Sequence, residues 1–127
     1  KKYFNFKMIK RVKSLPDFIL KKNIHFFMNF STQEGMSFSI MEAMSCGIPV
    51  ISSNIDANKN LVDNSRGYLL NLKKSKNSYI SVSKKILKDL NKRKNYINKK
   101  KKAKLFIEKN LINKNCYLKF LNELKKI

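Results

Sequence analysis

The feature that most constrains this chain is a pair of short apolar runs separated by a polar loop and a helix-length segment. Residues 24–30 read Ile-His-Phe-Phe-Met-Asn-Phe. In an extended conformation Ile24, Phe26, Met28 and Phe30 share one side and Phe27 faces the other, which predicts a strand covered on both faces, as in parallel sheets. The polar loop 31–37 follows, and Ser37 or Ser39 is placed to cap a helix through Ile40, Met41, Ala43 and Met44 that Gly47 stops. Residues 48–51, Ile-Pro-Val-Ile, predict the next strand, with its proline near the beginning, where a missing donor is tolerated. A loop over 52–58, a short helix around 59–62, a turn at 64–67 and a strand at 68–70 complete the pattern. Strand-helix-strand alternation implies an α/β fold, a Rossmann-like parallel sheet flanked by helices with right-handed crossovers.

The flanks read differently. Residues 1–14 are basic with interspersed apolar side chains and fit a frayed strand or helix. Pro16-Asp17 suits a first helical turn, Lys21-Lys22 complement the last, and Asn23 ends the helix. From Ser75 onward Tyr79, Val82, Ile86 and Leu90 recur at helical spacing, and after the four-lysine run at 99–102 Leu105, Phe106, Leu111, Ile112, Leu118, Leu121 and Leu124 predict one long or two shorter amphipathic helices. The organisation expected is one partial domain: an N-terminal segment 1–23, an α/β core 24–72 and lysine-rich C-terminal helices 73–127.

A formal net charge of +21 raises the question of a nucleic-acid or membrane partner. The excess is C-terminal: residues 1–70 are net +5 and residues 71–127 net +16. Between residues 23 and 65 there is one basic residue, Lys59, against Glu34, Glu42, Asp56 and Asp63. The basic helices carry a single arginine, Arg93, and lack the interleaved stacking aromatics and motifs of nucleic-acid binders, so nucleic acid ranks last as a partner. Peripheral contact with an anionic membrane is kept as an alternative role for them. Cys46 and Cys116 stand seventy positions apart beside a single histidine, which gives neither a disulfide framework nor a zinc-ligand set. No segment is apolar enough to span a bilayer, and no secretory signal opens the chain, so the expected location is cytoplasmic, with a peripheral position at the inner face of the membrane as a variant.

The chemistry is concentrated in residues 30–50, Phe-Ser-Thr-Gln-Glu-Gly-Met-Ser-Phe-Ser-Ile-Met-Glu-Ala-Met-Ser-Cys-Gly-Ile-Pro-Val. Glu34 lies in the loop after the first strand and Glu42 eight positions on, one turn inside the helix. A helix beginning near Phe38 presents free N–H groups and the positive end of its dipole beside Glu34, an anion site suited to a pyrophosphate. A carboxylate accepts hydrogen bonds from neighbouring hydroxyls such as those of a ribose or hexose. Ligands of this kind sit at the carboxyl ends of parallel strands.

These residues resemble the Glu-x7-Glu motif of the group 1 (family 4) retaining glycosyltransferases, enzymes of the GT-B fold built from two Rossmann-like halves. The likeness takes in Ser31, Glu34-Gly35, Glu42-Ala43-Met44 and residues 46–50, continues through Leu61-Val62 and Gly67-Tyr68-Leu69-Leu70, and extends more loosely through residues 103–124. It spans residues 24–124, the last third of a typical member. The resemblance implies a donor-binding C-terminal half that transfers a hexose from a nucleotide-diphosphate sugar, with retention, to a polysaccharide or lipid-linked acceptor of the cell envelope. It implies Glu34 as the catalytic and sugar-binding residue, Gly35, Met36, Ser37, Phe38 and Ser39 around the sugar and diphosphate, Glu42 on the ribose, and no cofactor or metal.

Departures accompany the likeness. Ser37 or Ser39 stands where the family usually has glycine, residues 54–57 replace a common glycine pair, and residues 1–23 offer no counterpart of the Arg/Lys pair that neutralises the leaving diphosphate. The acceptor-binding half is absent from the sequence, so the chain is expected to be a truncated fragment with no turnover by itself. A non-catalytic binding or interaction module, and a basic nucleic-acid or membrane-surface protein, are the alternatives.

Overall fold

A computed structural model describes residues 8–9, 11–73 and 76–111. Its elements run α1 (Leu15–Lys22), β1 (Phe27–Asn29), α2 (Phe38–Ser45), β2 (Val50–Ser53), α3 (Asp56–Leu61), β3 (Gly67–Leu70), α4 (Lys76–Asn91) and α5 (Arg93–Asn110). The strands form a parallel sheet in the order β1-β2-β3, with Phe27 paired to Val50 and Val50 to Gly67. The α/β reading, a Rossmann-like layer flanked by helices, is the observed architecture.

Local chemistry accounts for most of the boundaries. The Ser14 hydroxyl accepts the amide of Asp17 at the start of α1, and Asn23 closes the helix in the left-handed conformation at φ 51°. Asparagine tolerates that conformation because its short polar side chain bonds locally. Gly47, at φ 69°, makes the corresponding turn between α2 and β2. At β3 a different constraint selects glycine: a Cβ on Gly67 would lie 2.5 Å from the Val50 carbonyl oxygen and 2.6 Å from Val62 Cγ1. That contact lets the third strand close against the second.

Helix α2 packs on β1 and β2 and is itself covered by α1 and α5, and Ile19, Ile40, Ala43, Met44, Val50, Leu61, Val62, Ala103 and Ile107, all buried, form the core between them. Strand β2 is central and buried along its whole length, apolar at Val50 and Ile51 and ending in the buried serines 52 and 53. The first strand departs from expectation. It is three residues long rather than seven, and Met28 and Phe30 are 58% and 46% exposed. Phe27 joins the core, and Phe26 packs against Tyr68 and Tyr96 at ring-centroid distances of 6.2 and 5.4 Å. Among the described residues β1 pairs only with β2, and the cover over its second face stops at Phe26. Residues 52–53, read as loop, belong to β2, and α3 starts at Asp56, earlier than the sequence pattern placed it.

Helix α5 also differs. It runs unbroken through the four-lysine stretch, because lysine is a good helix former and its head can remain in water while its stem covers apolar surface. It passes beneath the amino ends of all three strands. The Tyr96 hydroxyl donates to the His25 carbonyl ahead of β1 at 2.8 Å, Gly47 ahead of β2 lies against Lys100 and Lys104, and the Lys99 ammonium donates to the Asn64 carbonyl ahead of β3. Asp89 fastens α4 to the same edge by accepting the Tyr68 hydroxyl at 2.8 Å and the Asn95 amide at 3.2 Å, with Lys99 Nζ 3.5 Å away. Arg66, paired with Asp63 at 2.8 Å, lies 3.9 Å over the Phe106 ring and adds a further tie. The expected apolar positions Ile112, Leu118, Leu121 and Leu124, and Cys116, lie outside the described residues.

Two stability measurements check this account. Gly67→Ala is expected to lose about 1 to 3 kcal/mol in urea unfolding, since backbone and a core valine block the new methyl group. Burial alone would raise the Asp89 carboxyl, but the Tyr68 hydroxyl, Lys99 and Asn95 outweigh it and hold it below the ordinary carboxylate range. A depressed folded pKa contributes stability above the unfolded value, and that contribution fades as pH falls through the folded one. Asp89→Asn should therefore cost about 1 kcal/mol at neutral pH, the difference between a charged and a neutral hydrogen bond. The gap from the native chain should close in acid, below roughly pH 4.

Candidate functional site

With the amino edge of the sheet closed by α5, the carboxyl edge is where loops after each strand converge. The strand β1 ends in Asn29, whose side chain organises the loop behind it. Its Oδ1 accepts the Ser31 amide at 2.9 Å, and its Nδ2 donates to Glu34 Oε1 at 3.0 Å and to Ser37 Oγ at 3.1 Å. Ser37 Oγ in turn lies 3.3 Å from Ser39 Oγ. One amide thus gathers the loop carboxylate and the first hydroxyls of α2 into a single polar cluster.

A second lock joins the loops after β1 and β2. The Ser53 hydroxyl donates to the Ser31 carbonyl and accepts the Asn58 amide at 3.0 Å, and the same amide reaches the Ser53 carbonyl at 3.1 Å. Asn58 is fully buried. A cleft of about 250 Å³ opens across the same edge, lined by Thr32 after β1, Asn54 and Ile55 after β2, and residues 71–73 after β3.

The Glu34 carboxyl is held below its ordinary range by the Ser31 side chain first, then by the Asn29 amide and the Ser37 hydroxyl, against a smaller effect of burial. It is the anion throughout the neutral range. Its Oε1 is spent on Asn29, whereas Oε2 is covered and makes no hydrogen bond. A covered carboxylate oxygen without a donor is costly, so this atom retains unused acceptor capacity.

Ser37 is the N-cap residue of α2, as the sequence suggested, but its hydroxyl makes no capping bond and is turned to Asn29 instead. The first turn of the helix carries no acidic residue. Its leading N–H groups and positive dipole end are therefore not neutralised by the helix's own side chains. Gly35 stands in open space, where a Cβ would meet nothing within 4 Å, so its small size answers no packing demand inside the chain. Met36 and Phe38 are exposed beside it.

Of the residues singled out from sequence, Glu34, Ser37 and Ser39 are brought together, and Gly35, Met36 and Phe38 line the same turn. Glu42 is outside the hydrogen-bonded cluster. It is exposed on α2, three residues after Ser39 and hence on the same side of the helix, one turn further from the strand end. Asn29 was missed by the sequence reading, where it was only a member of an apolar strand. The signal was present: a lone amide at the last position of an otherwise apolar run. Cys46 is half-buried, its thiol 4.0 Å from the Pro16 carbonyl, and His25 is exposed. Among the described residues no three His, Cys, Asp or Glu side chains gather as metal ligands.

A parallel α/β layer whose carboxyl edge sets a carboxylate and two serine hydroxyls beside an open helix start defines a Rossmann-like domain. Comparison with known families makes the assignment specific, since the family described as glycosyl transferases group 1 matches residues 4–103, and the chain belongs to it. The match begins ahead of α1, which buries Ile19 in the shared core, and ends within α5. No curated protein matches the chain. The family's chemistry is glycosyl transfer.

The role of Asn29 can be checked without a ligand. In Asn29→Leu the Glu34 carboxyl loses a donor, so its pKa, followed by NMR of the side-chain carboxyl carbon, should rise toward the ordinary glutamate value. An unmoved titration would show that Asn29 does not hold the carboxylate.

Proposed function

We propose that the chain is the donor-binding part of a retaining glycosyltransferase that takes a nucleotide-diphosphate sugar. The observation that carries the reading is the cluster Asn29–Glu34–Ser37–Ser39 set against the uncapped start of α2. Glu34 is fixed by one oxygen and keeps the other for a sugar hydroxyl, reached by a small shift of the loop around Gly35, which has open space beside it. The N–H groups at residues 38–40 take the diphosphate, as an unneutralised helix start favours an anion. Glu42, one turn along the same face, accepts the ribose hydroxyls.

In this reading the acceptor oxygen bonds to the anomeric carbon from the face the diphosphate leaves. The bond from that carbon to phosphate oxygen breaks, and a donor phosphate oxygen takes the acceptor's proton. The chain contributes position and charge complementarity, and no metal or cofactor is assigned a step. The acceptor, a saccharide or lipid-linked saccharide, and the cations that neutralise the leaving diphosphate are assigned to another part of the enzyme. Support for that division comes from the charge pattern, since the loops of the carboxyl edge carry few cations.

Isothermal calorimetry with a panel of nucleotide sugars, UDP-glucose and GDP-mannose among them, tests the assignment. Glu34→Ala should weaken binding of the preferred donor by about 1.5 to 3 kcal/mol, the worth of hydrogen bonds to a charged acceptor. Glu42→Ala should weaken the donor and its free nucleoside diphosphate alike, while Glu34→Ala should spare the nucleoside diphosphate. Unchanged donor affinity in both variants would reject the reading.

A further inference from the structure

Helix α4 buries none of its residues. Val82, Ile86 and Asp89 are half-buried toward the protein, and Asp89 is engaged by Tyr68. Tyr79, Ile80, Leu87 and Leu90 remain 41% to 58% exposed. At 100° per residue these four fall in one stripe along the helix, beside the half-buried side and away from it. Lys84 and Lys88 form the row next to the stripe, and Lys76 stands at its start. Residues 76–94 carry seven basic side chains and a single acid. That acid is Asp89, turned inward, so the outward field of this segment is positive throughout.

We propose that this face of α4 docks on an anionic lipid surface. The aliphatic stripe sinks to the boundary of headgroups and acyl chains while the lysines meet lipid phosphates, the arrangement by which amphipathic helices lie on membranes. The pairing of exposed aliphatic side chains with cations selects the partner. A nucleic-acid backbone would satisfy the lysines and offer nothing to Ile80, Leu87 and Leu90. A second copy of the chain would satisfy the stripe and set two strongly basic faces against each other. An anionic bilayer satisfies both. The docked face belongs to the C-terminal helices and does not involve the cluster at Asn29 and Glu34, so it stands independently of the proposed donor site.

Flotation of the full chain with vesicles of phosphatidylcholine alone and of phosphatidylcholine mixed with phosphatidylglycerol tests this directly. Partition to the anionic vesicles should exceed that to the neutral ones by at least about tenfold and fall as salt is raised. Ile80→Ser with Leu87→Ser should lower it by about tenfold or more at an unchanged melting temperature. Lys84→Ser and Lys88→Ser together should lower it by about 30-fold. The lysine variant carries the test if the double serine variant melts early. The proposal is overturned by equal partition to both vesicle types, or by partition indifferent to the variants. It is likewise overturned by tighter binding to duplex DNA than to vesicles, or by a dimer in sedimentation velocity that the serine substitutions dissolve.

Discussion

The way α5 crosses the amino ends of the sheet is the constraint on which the rest depends. A small parallel sheet has two open edges of loops, and a ligand site needs one held still while the other remains accessible. Tyr96, the backbone at Lys100 and the Lys99 ammonium fix the entry points of β1, β2 and β3 respectively. Tyr68 and Asp89 then bind α4 to the same edge. The opposite, carboxyl edge is left to its loops, and there Asn29 and Ser53 bring the turns after β1 and β2 into contact. Lysines that look like solvent-facing charge in the sequence thus include one, Lys99, with an acid, a carbonyl and an aromatic face around it.

The close approach of β2 and β3 is the second dependency. Gly67 allows the Val50 carbonyl to approach within a distance no side chain would permit, and Val62 fills the space above it. This places the loop after β3 beside the loop after β2, where the cleft along Thr32, Asn54 and Lys73 opens. Core packing and site geometry are therefore coupled through one residue at the start of a strand, far from the carboxylate itself.

Much of this was legible in the sequence because local chemistry dictates it. Pro16, Asp17 and Asn23 bounded α1, Gly47 ended α2, and the apolar run after Pro49 made β2. The parallel arrangement and the prominence of Glu34, Ser37 and Ser39 followed from the order of strand, polar loop and helix. What was not legible depended on partners distant in the chain. The length of β1 is set by where its neighbours lie, and Met28 and Phe30 have side chains suited to a core that does not reach them. Asn29 reads as an interruption until Glu34 and Ser37 are seen folded back upon it. The sequence pattern placed the last helices after the four-lysine run, whereas α5 starts at Arg93 and carries the run inside it, as the high helix propensity of lysine allows. Glu42 was correctly placed inside a helix, but spacing alone gave no means of knowing that the strand-end cluster would close without it.

The central claim is that the turn from Glu34 into α2 is a site for the diphosphate of an activated sugar. Backbone amide shifts during NMR titration with UDP and with GDP address it most directly, because they report contact at each residue without requiring turnover. The account predicts saturable shifts centred on the amides of Ser37, Phe38, Ser39 and Ile40, accompanied by a change at the Asn29 side-chain amide. Shifts confined to the lysine-rich helices, with the start of α2 unmoved at saturation, would contradict it.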